Sequence, residues 1–315
     1  MDPDDHFDLA CVFGLAAMGR TRLLGILCDA PPPGHAGDPD IAAVAMLNHL
    51  TGLSVPIVVG ASQKYAGPVN ELPATELRGV SRLLDALRGS PEPAFITVVG
   101  SCRDVALALR RDPRLFARKC RGIYLNAGTG TPDPRPTDQL EYNVALDPAS
   151  YATVFGAPCP LYWMPCFERL GPDEPDAFAV HTHGTFYRFA MREVLAAVAP
   201  PMQRFFLSML EHESGSVWLR SIHQPVDPAA LVKWGALSRS MWCTAGFLHL
   251  AGLAEGSETY RFAPIRVECG QDGRTRWQPG GAKPSRYKFE VTDRERYAQS
   301  MTAALRSLIG RIGLA

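Results

Sequence analysis

Four carboxylates crowd the start of the chain, at Asp2, Asp4, Asp5 and Asp8, directly ahead of the apolar run Leu9-Ala10-Cys11-Val12-Phe13. Grouped carboxylates can hold a hard cation through oxygen, draw a proton from water, or steady positive charge on a sugar ring. Asp8, a helical turn beyond Asp4 and Asp5, reads as a solvated or capping-region charge. A second constellation is Glu141-Tyr142-Asn143, followed by Asp147-Pro148. On an extended chain, side chains two apart project to one side, so Glu141 and Asn143 would aim an acceptor and a donor at one ligand. Asp147-Pro148 reads as a helix start. His181-Thr182-His183 could grip zinc from one side of an extended chain, and reads first as a loop after the Pro- and Asp-rich residues 171–176. Gly128-Thr129-Gly130 has the small residues of a phosphate cradle without the lysine and helix of a P-loop. Trp163, Phe186, Tyr187, Trp234 and Trp242 could stack on a base, and read chiefly as core.

Such residues need rigid elements to aim them. Apolar spacing predicts a helix over 9–18, with acids ahead of it at the positive end of the helix dipole. Further helices are expected over 41–50, 77–87, 104–109 and 113–119, alternating with short buried strands over 23–28, 55–59, 95–99 and 122–125. This alternation implies an α/β fold, a Rossmann-like, mainly parallel sheet with helices on both faces. Ligands bind at the carboxyl ends of such strands, which draws attention to the loops after Cys28, Val99 and Leu125. Residues 130–140 read as a surface loop. Long helices are expected around 186–199 and 202–210, a strand over 260–269, a Gly-rich turn region, and a final helix over 294–312. The whole, 1–315, reads as one domain with a helical insertion over roughly 170–245.

The 315 residues are 46% hydrophobic and balance 32 Lys and Arg against 32 Asp and Glu. That neutrality argues against a nucleic-acid partner, which calls for a basic stripe. No run approaches the roughly 20 apolar residues of a membrane span, and the acidic start lacks the features of a signal peptide, so a soluble cytoplasmic protein is expected. Cys11, Cys28, Cys102, Cys120, Cys159, Cys166, Cys243 and Cys269 show no Cys-x-x-Cys spacing, and read as small buried hydrophobes in a reducing compartment.

Four segments together resemble one family. They are Asp4-Asp5 before Leu9-Ala10, Val99-Gly100-Ser101-Cys102-Arg103-Asp104, Glu141-Tyr142-Asn143 with Asp147-Pro148, and Phe247-Leu248-His249-Leu250 ahead of Tyr260–Cys269. In this order they are similar to the inosine-uridine nucleoside hydrolases, which cleave the bond between ribose and base using a calcium ion. The resemblance implies that Asp5 and the backbone carbonyl at Val99 bind calcium. It implies that Asp4, Glu141 and Asn143 hold the ribose, that Asp4 takes part in catalysis, and that His249 sits by the leaving base and helps protonate it. It also implies a calcium site with fewer carboxylates than the family's, because the aspartate after the late histidine is Leu250 here. The family's two further asparagines fall near Arg135 and in Ala30-Pro31-Pro32-Pro33. A strand ending in another calcium-binding aspartate is expected upstream of Met1, in a segment that this chain begins too late to supply. The expected ligand is a nucleoside or ribosyl compound, and a homo-oligomer is compatible with this reading. The alternative is a catalytically silent relative that uses the inherited pocket for a ribosylated ligand or a protein partner.

Overall fold

Aspartate-proline junctions fix where several helices begin. Asp112 caps Pro113–Lys119 by accepting from the Leu115 N–H at 3.0 Å. Asp147 caps Pro148–Phe155 through the Ser150 N–H at 3.0 Å and its hydroxyl at 2.8 Å. Asp227 caps Pro228–Gly235 through the Ala229 N–H at 2.9 Å. In each, the carboxylate meets an orphan donor of the first turn, where proline's missing N–H costs nothing.

The computed structural model describes residues 3–30, 41–64, 69–169, 173, 184–211, 215–280 and 285–313. Its strands run in chain order as β1 Ile26–Cys28, β2 Ile57–Val59, β3 Ala94–Val98, β4 Cys120–Asn126, β5 Leu161–Met164, β6 Tyr187–Ala190, β7 Ser238–Met241, β8 Tyr260–Cys269, β9 Thr275–Pro279 and β10 Arg286–Val291. Two compact units divide the chain. The first comprises Met1–Ile57, Tyr187–Thr259 and Asp293–Ala315, and the second comprises Val58–Phe186 and Tyr260–Thr292. Among the described residues, no helix is long and apolar enough to cross a membrane.

In the first unit the helix Pro3–Ala17 packs against Ile41–Thr51, Pro200–Leu210, Thr244–Leu250 and Arg294–Ile309. Phe7 stacks on Phe206 with ring centroids 4.5 Å apart and meets Phe189 edge-on at 5.3 Å. Gly14 lets two backbones approach, because a Cβ there would collide with the Leu308 carbonyl. The long helix expected over 186–199 is not formed. Tyr187–Ala190 is a strand, antiparallel to β7, and only Met191–Leu195 turns helical. The reason lies in period-two burial, with Tyr187 and Phe189 inside and Arg188 outside, an alternation that suits a strand.

The second unit is built on a six-stranded sheet of order β3-β4-β5-β10-β8-β9. It is parallel across β3, β4, β5 and β10, and antiparallel where β8 and β9 are added. The expected parallel α/β core is therefore present, while β5, β9 and β10 escaped the sequence reading. One face carries the aliphatic and aromatic core, with Ile123, Leu125, Leu161 and Trp163 buried together. On the other, in-register Tyr124, Tyr162 and Tyr287 stack across three neighbouring strands, at 4.5 Å and 5.1 Å between ring centroids. Seven of the cysteines are buried thiols and Cys269 is half-buried, as their apolar settings predict.

β10 carries a lysine into the interior. Lys288 Nζ lies 2.7 Å from Glu168 Oε1, and both side chains are almost fully enclosed. The ammonium also sits 4.5 Å from the Trp277 ring centroid, whose Nε1 donates to the Gly130 carbonyl at 2.7 Å. Removing one member of such a pair strands a buried charge. Lys288→Met is expected to lower the unfolding free energy in urea by about 3–5 kcal/mol, and a second change, Glu168→Leu, to recover most of that loss.

Candidate active site

The residues singled out in the sequence divide between the units. Val99, Glu141 and Asn143 belong to the second unit, and Asp4, Asp5 and His249 to the first.

In the second unit, β3 ends at Val98 and leaves the Val99 carbonyl beyond the sheet. Asn143 Nδ2 donates to that carbonyl at 3.1 Å. Glu141 and Asn143 do not lie on an extended segment. Glu141 is the N-cap of the short helix Tyr142–Leu146, and Asn143 is inside that helix. The cap geometry turns the carboxylate back on its own backbone. Its Oε1 accepts from the Asn143 N–H at 2.9 Å, and its Oε2 accepts from the Gly128 N–H at 2.8 Å and the Val144 N–H at 3.4 Å. Glu141 thus closes the loop that starts at Gly128 and holds the turn that carries Asn143. Burial pushes its carboxyl above the ordinary glutamate range, and the N–H groups of Asn143, Gly128, Val144 and Tyr142 pull it back.

Several neighbouring residues carry more of this framework than the sequence suggested. Arg103 is buried and donates to Ser101 Oγ at 2.9 Å and to the Ser62 carbonyl at 2.8 Å. Ser62 in turn donates through its N–H and hydroxyl to the two carboxylate oxygens of Glu76, at 2.7 Å and 2.8 Å. Asp104 accepts from the Ala61 N–H at 2.9 Å. Asn126, at the end of β4, donates to the Met164 carbonyl at 2.8 Å and to Thr185 Oγ1 at 3.1 Å. Its place at the carboxyl end of a predicted strand was the available signal. The Gly128-Thr129-Gly130 turn serves packing: Gly128 has φ +82°, and a Cβ there would collide with the Tyr151 hydroxyl.

In the first unit the opening helix begins at Pro3, earlier than the apolar pattern predicts. Asp4 and Asp5 therefore sit in its first turn, half-buried, where the helix dipole favours negative charge. Asp8 is not a solvated charge. It is buried, and its charge raises the already burial-elevated Cys11 thiol and contributes to the elevation of the Tyr187 hydroxyl. On a helix that starts at Pro3, position 8 turns toward the unit's interior. Asp2, His181 and His183 lie outside the described residues. His249 is on the last turn of Thr244–Leu250, exposed at its solvent edge, with partial desolvation holding its imidazole below the usual histidine range. Thr244, at the start of that helix, exchanges a 2.7 Å hydrogen bond with Tyr187. Trp163 and Tyr187 are core residues, while Trp234 is half-buried, with Lys233 over its ring at 4.4 Å.

Oxygen donors of the kind calcium takes are present in Asp5 and the Val99 carbonyl. The Asn143 amide occupies one lone pair of that carbonyl and leaves the second for another partner.

The Glu141 cap generates a prediction with a sign. Glu141→Gln presents an amide donor to backbone N–H groups and is expected to cost about 1–2 kcal/mol of stability at acidic pH. A carboxyl whose folded pKa is raised contributes most below its unfolded pKa and loses that contribution as pH rises through the folded value. The stability gap between wild type and Glu141→Gln, measured by urea unfolding at a series of pH values, should therefore narrow as pH rises. A gap that widens would contradict the buried setting.

Comparison with known proteins agrees with this architecture. The family model described as inosine-uridine preferring nucleoside hydrolase matches residues 1–302. The pyrimidine-specific ribonucleoside hydrolases RihA of Salmonella arizonae and Citrobacter koseri are each 25% identical over 154 residues. These matches cover 49% of this chain and 47% of each relative, so the chain spans about half the length of the relatives it matches. A solved inosine-uridine preferring nucleoside hydrolase from Bacillus anthracis superposes with a TM-score of 0.50 at 17% identity, over 97% of both chains. The purine-preferring ribonucleoside hydrolase of Gardnerella vaginalis gives 0.56 at 12% identity, over 100% of this chain and 98% of its own. The type III effector protein XopQ, solved with adenosine diphosphate ribose, gives 0.52 at 14%, over 99% and 91%. At these identities the structural likenesses speak to the fold. With the family model spanning nearly its whole length, the chain belongs to the inosine-uridine preferring nucleoside hydrolase family.

Proposed function

We propose that this protein is an N-glycosyl hydrolase that cleaves the ribose-base bond of a ribonucleoside or related ribosyl compound. The observation that carries the reading is the fixed pose of Asn143, with its backbone N–H on Glu141 and its side-chain amide on the Val99 carbonyl just past β3. Such double restraint preorganises a polar side chain for a ligand hydroxyl. Asp4 and Asn143 hold the ribose, and Glu141 acts chiefly by holding Asn143. As the base leaves, positive charge grows on the sugar, and nearby carboxylates stabilise it. Asp4 accepts the proton of the attacking water, and His249 delivers a proton to the leaving base. Calcium, when bound, supplies Lewis acidity toward water and the ribose hydroxyls, and Asp5 with the Val99 carbonyl would hold it.

A second reading is a relative that binds a ribosyl ligand without cleaving it. Leu250 favours it, because an apolar side chain follows His249 where the family resemblance calls for a carboxylate. Base release from a panel of purine and pyrimidine ribonucleosides, with and without calcium, decides between the readings when paired with calorimetric binding of the same compounds and of adenosine diphosphate ribose. Free base released in a calcium-stimulated manner is the expected result. Binding with no release by the full chain would leave the silent reading standing. Asn143→Ala is expected to weaken ribose binding by about 1–3 kcal/mol, and unchanged affinity would remove Asn143 from the site. His249 must be protonated to act as the acid. Turnover should then climb as pH falls, with a midpoint below about 6.5, and His249→Ala should remove that limb.

A further inference from the structure

We infer that His49 and His223 form a binding site for a divalent transition-metal ion, on the first unit and unrelated to the oxygen donors assigned to calcium. His49 lies in the last turn of Ile41–Thr51, and His223 follows Gly215–Ser221, a helix that packs against it. Their Nε2 atoms are 2.9 Å apart, their rings cross at 74°, and both side chains are exposed. At that distance one ring donates its Nε2–H to the lone pair of the other, so the two imidazoles are in opposite tautomers. With ring centroids 5.2 Å apart the two Nε2 atoms face each other head-on, so with both protons on Nδ1 each ring must tilt by about 45°, a movement that exposed side chains can make, for its lone pair to aim at a shared ion.

The spacing suits a shared ion. Nitrogen-metal bonds of about 2.0–2.1 Å across a 2.9 Å gap subtend about 90°, the angle between neighbouring positions of a square or octahedral ion. Opening the gap by roughly half an ångström gives the tetrahedral angle that zinc prefers. Imidazole nitrogens select copper, nickel and zinc over calcium, which takes oxygen. Exposure lets water complete the coordination. The two histidines are 174 positions apart in sequence, so the bridge between them forms only in the folded chain, which binds the ion more tightly than the unfolded one. Binding must therefore stabilise the fold.

The test uses isothermal titration of the full chain with Zn2+, Ni2+ or Cu2+ alone, with Ca2+ as the contrast, in wild type, His49→Ala, His223→Ala and the double variant His181→Ala/His183→Ala. The expected result is one transition-metal ion per chain in wild type and in the 181/183 variant. Affinity should fall by a factor on the order of ten or more in either single variant, where a chelating pair becomes a lone ligand. The melting temperature should rise with Ni2+ only when both histidines are present, and the metal-free melting temperature, unchanged by either exposed substitution, shows that the variants fold. Undiminished binding in His49→Ala or His223→Ala, loss of all binding in the 181/183 variant, or no binding by wild type would each overturn the assignment.

Discussion

A carboxylate taken out of water must be given back its hydrogen bonds, and at Glu141 the backbone supplies them. One side chain satisfies the N–H groups of Gly128, Asn143 and Val144. Loop and helix are therefore fastened at a single point, and the loop that leaves β4 returns at a defined place. Asn143 inherits its orientation from this knot, and the Val99 carbonyl fixes the other end of its side chain. Farther along the loop, Trp277 and Arg274 grip it from the β8-β9 side. Trp277 holds the Gly130 carbonyl, and Arg274 donates to the Pro136 carbonyl at 2.7 Å and the Asp138 carbonyl at 3.1 Å. A segment that reads as an ordinary polar loop is thus tied down along its length.

Two enclosed acids are accommodated in the second unit by different means. The Glu141 charge is met by peptide dipoles, which cannot titrate away. The Glu168 and Lys288 charges meet each other, so each is tolerable only while the other remains. In the first unit the buried Asp8 acts on its surroundings instead, opposing the ionisation of the Cys11 thiol and the Tyr187 hydroxyl.

How much of this was legible in the sequence follows from the range of the interactions involved. The parallel core was visible because Phe95-Ile96-Thr97-Val98 and its counterparts are apolar, β-branched and bounded by helix signals, all local properties. Asp147-Pro148 announced a cap for the same reason. β10 was hidden, since Arg286-Tyr287-Lys288-Phe289-Glu290-Val291 looks like a charged surface segment until Glu168, far away in sequence, neutralises Lys288. Tyr187–Ala190 was misread as helix because its partner, β7, is remote and carries little apolar signal of its own. At the candidate site, the residue types were readable and their geometry was not. Glu141 and Asn143 meet through an N-cap and not on the extended segment that their two-residue spacing suggests.

The tyrosine ladder also bears on the order in which the chain can be assembled. Tyr124 and Tyr162 can stack as soon as β4 and β5 are made, but the third ring, Tyr287, belongs to β10, which in chain order comes after the other five strands of this sheet. That strand enters the middle of the sheet, between β5 and β8. Until it arrives, β5 offers an unpaired edge and β8-β9 remains a detached hairpin, two surfaces able to find each other wrongly or to find another nascent chain. The joining of this sheet thus waits for β10, and a polypeptide released before residue 286 would carry two halves of a sheet and no strand to unite them.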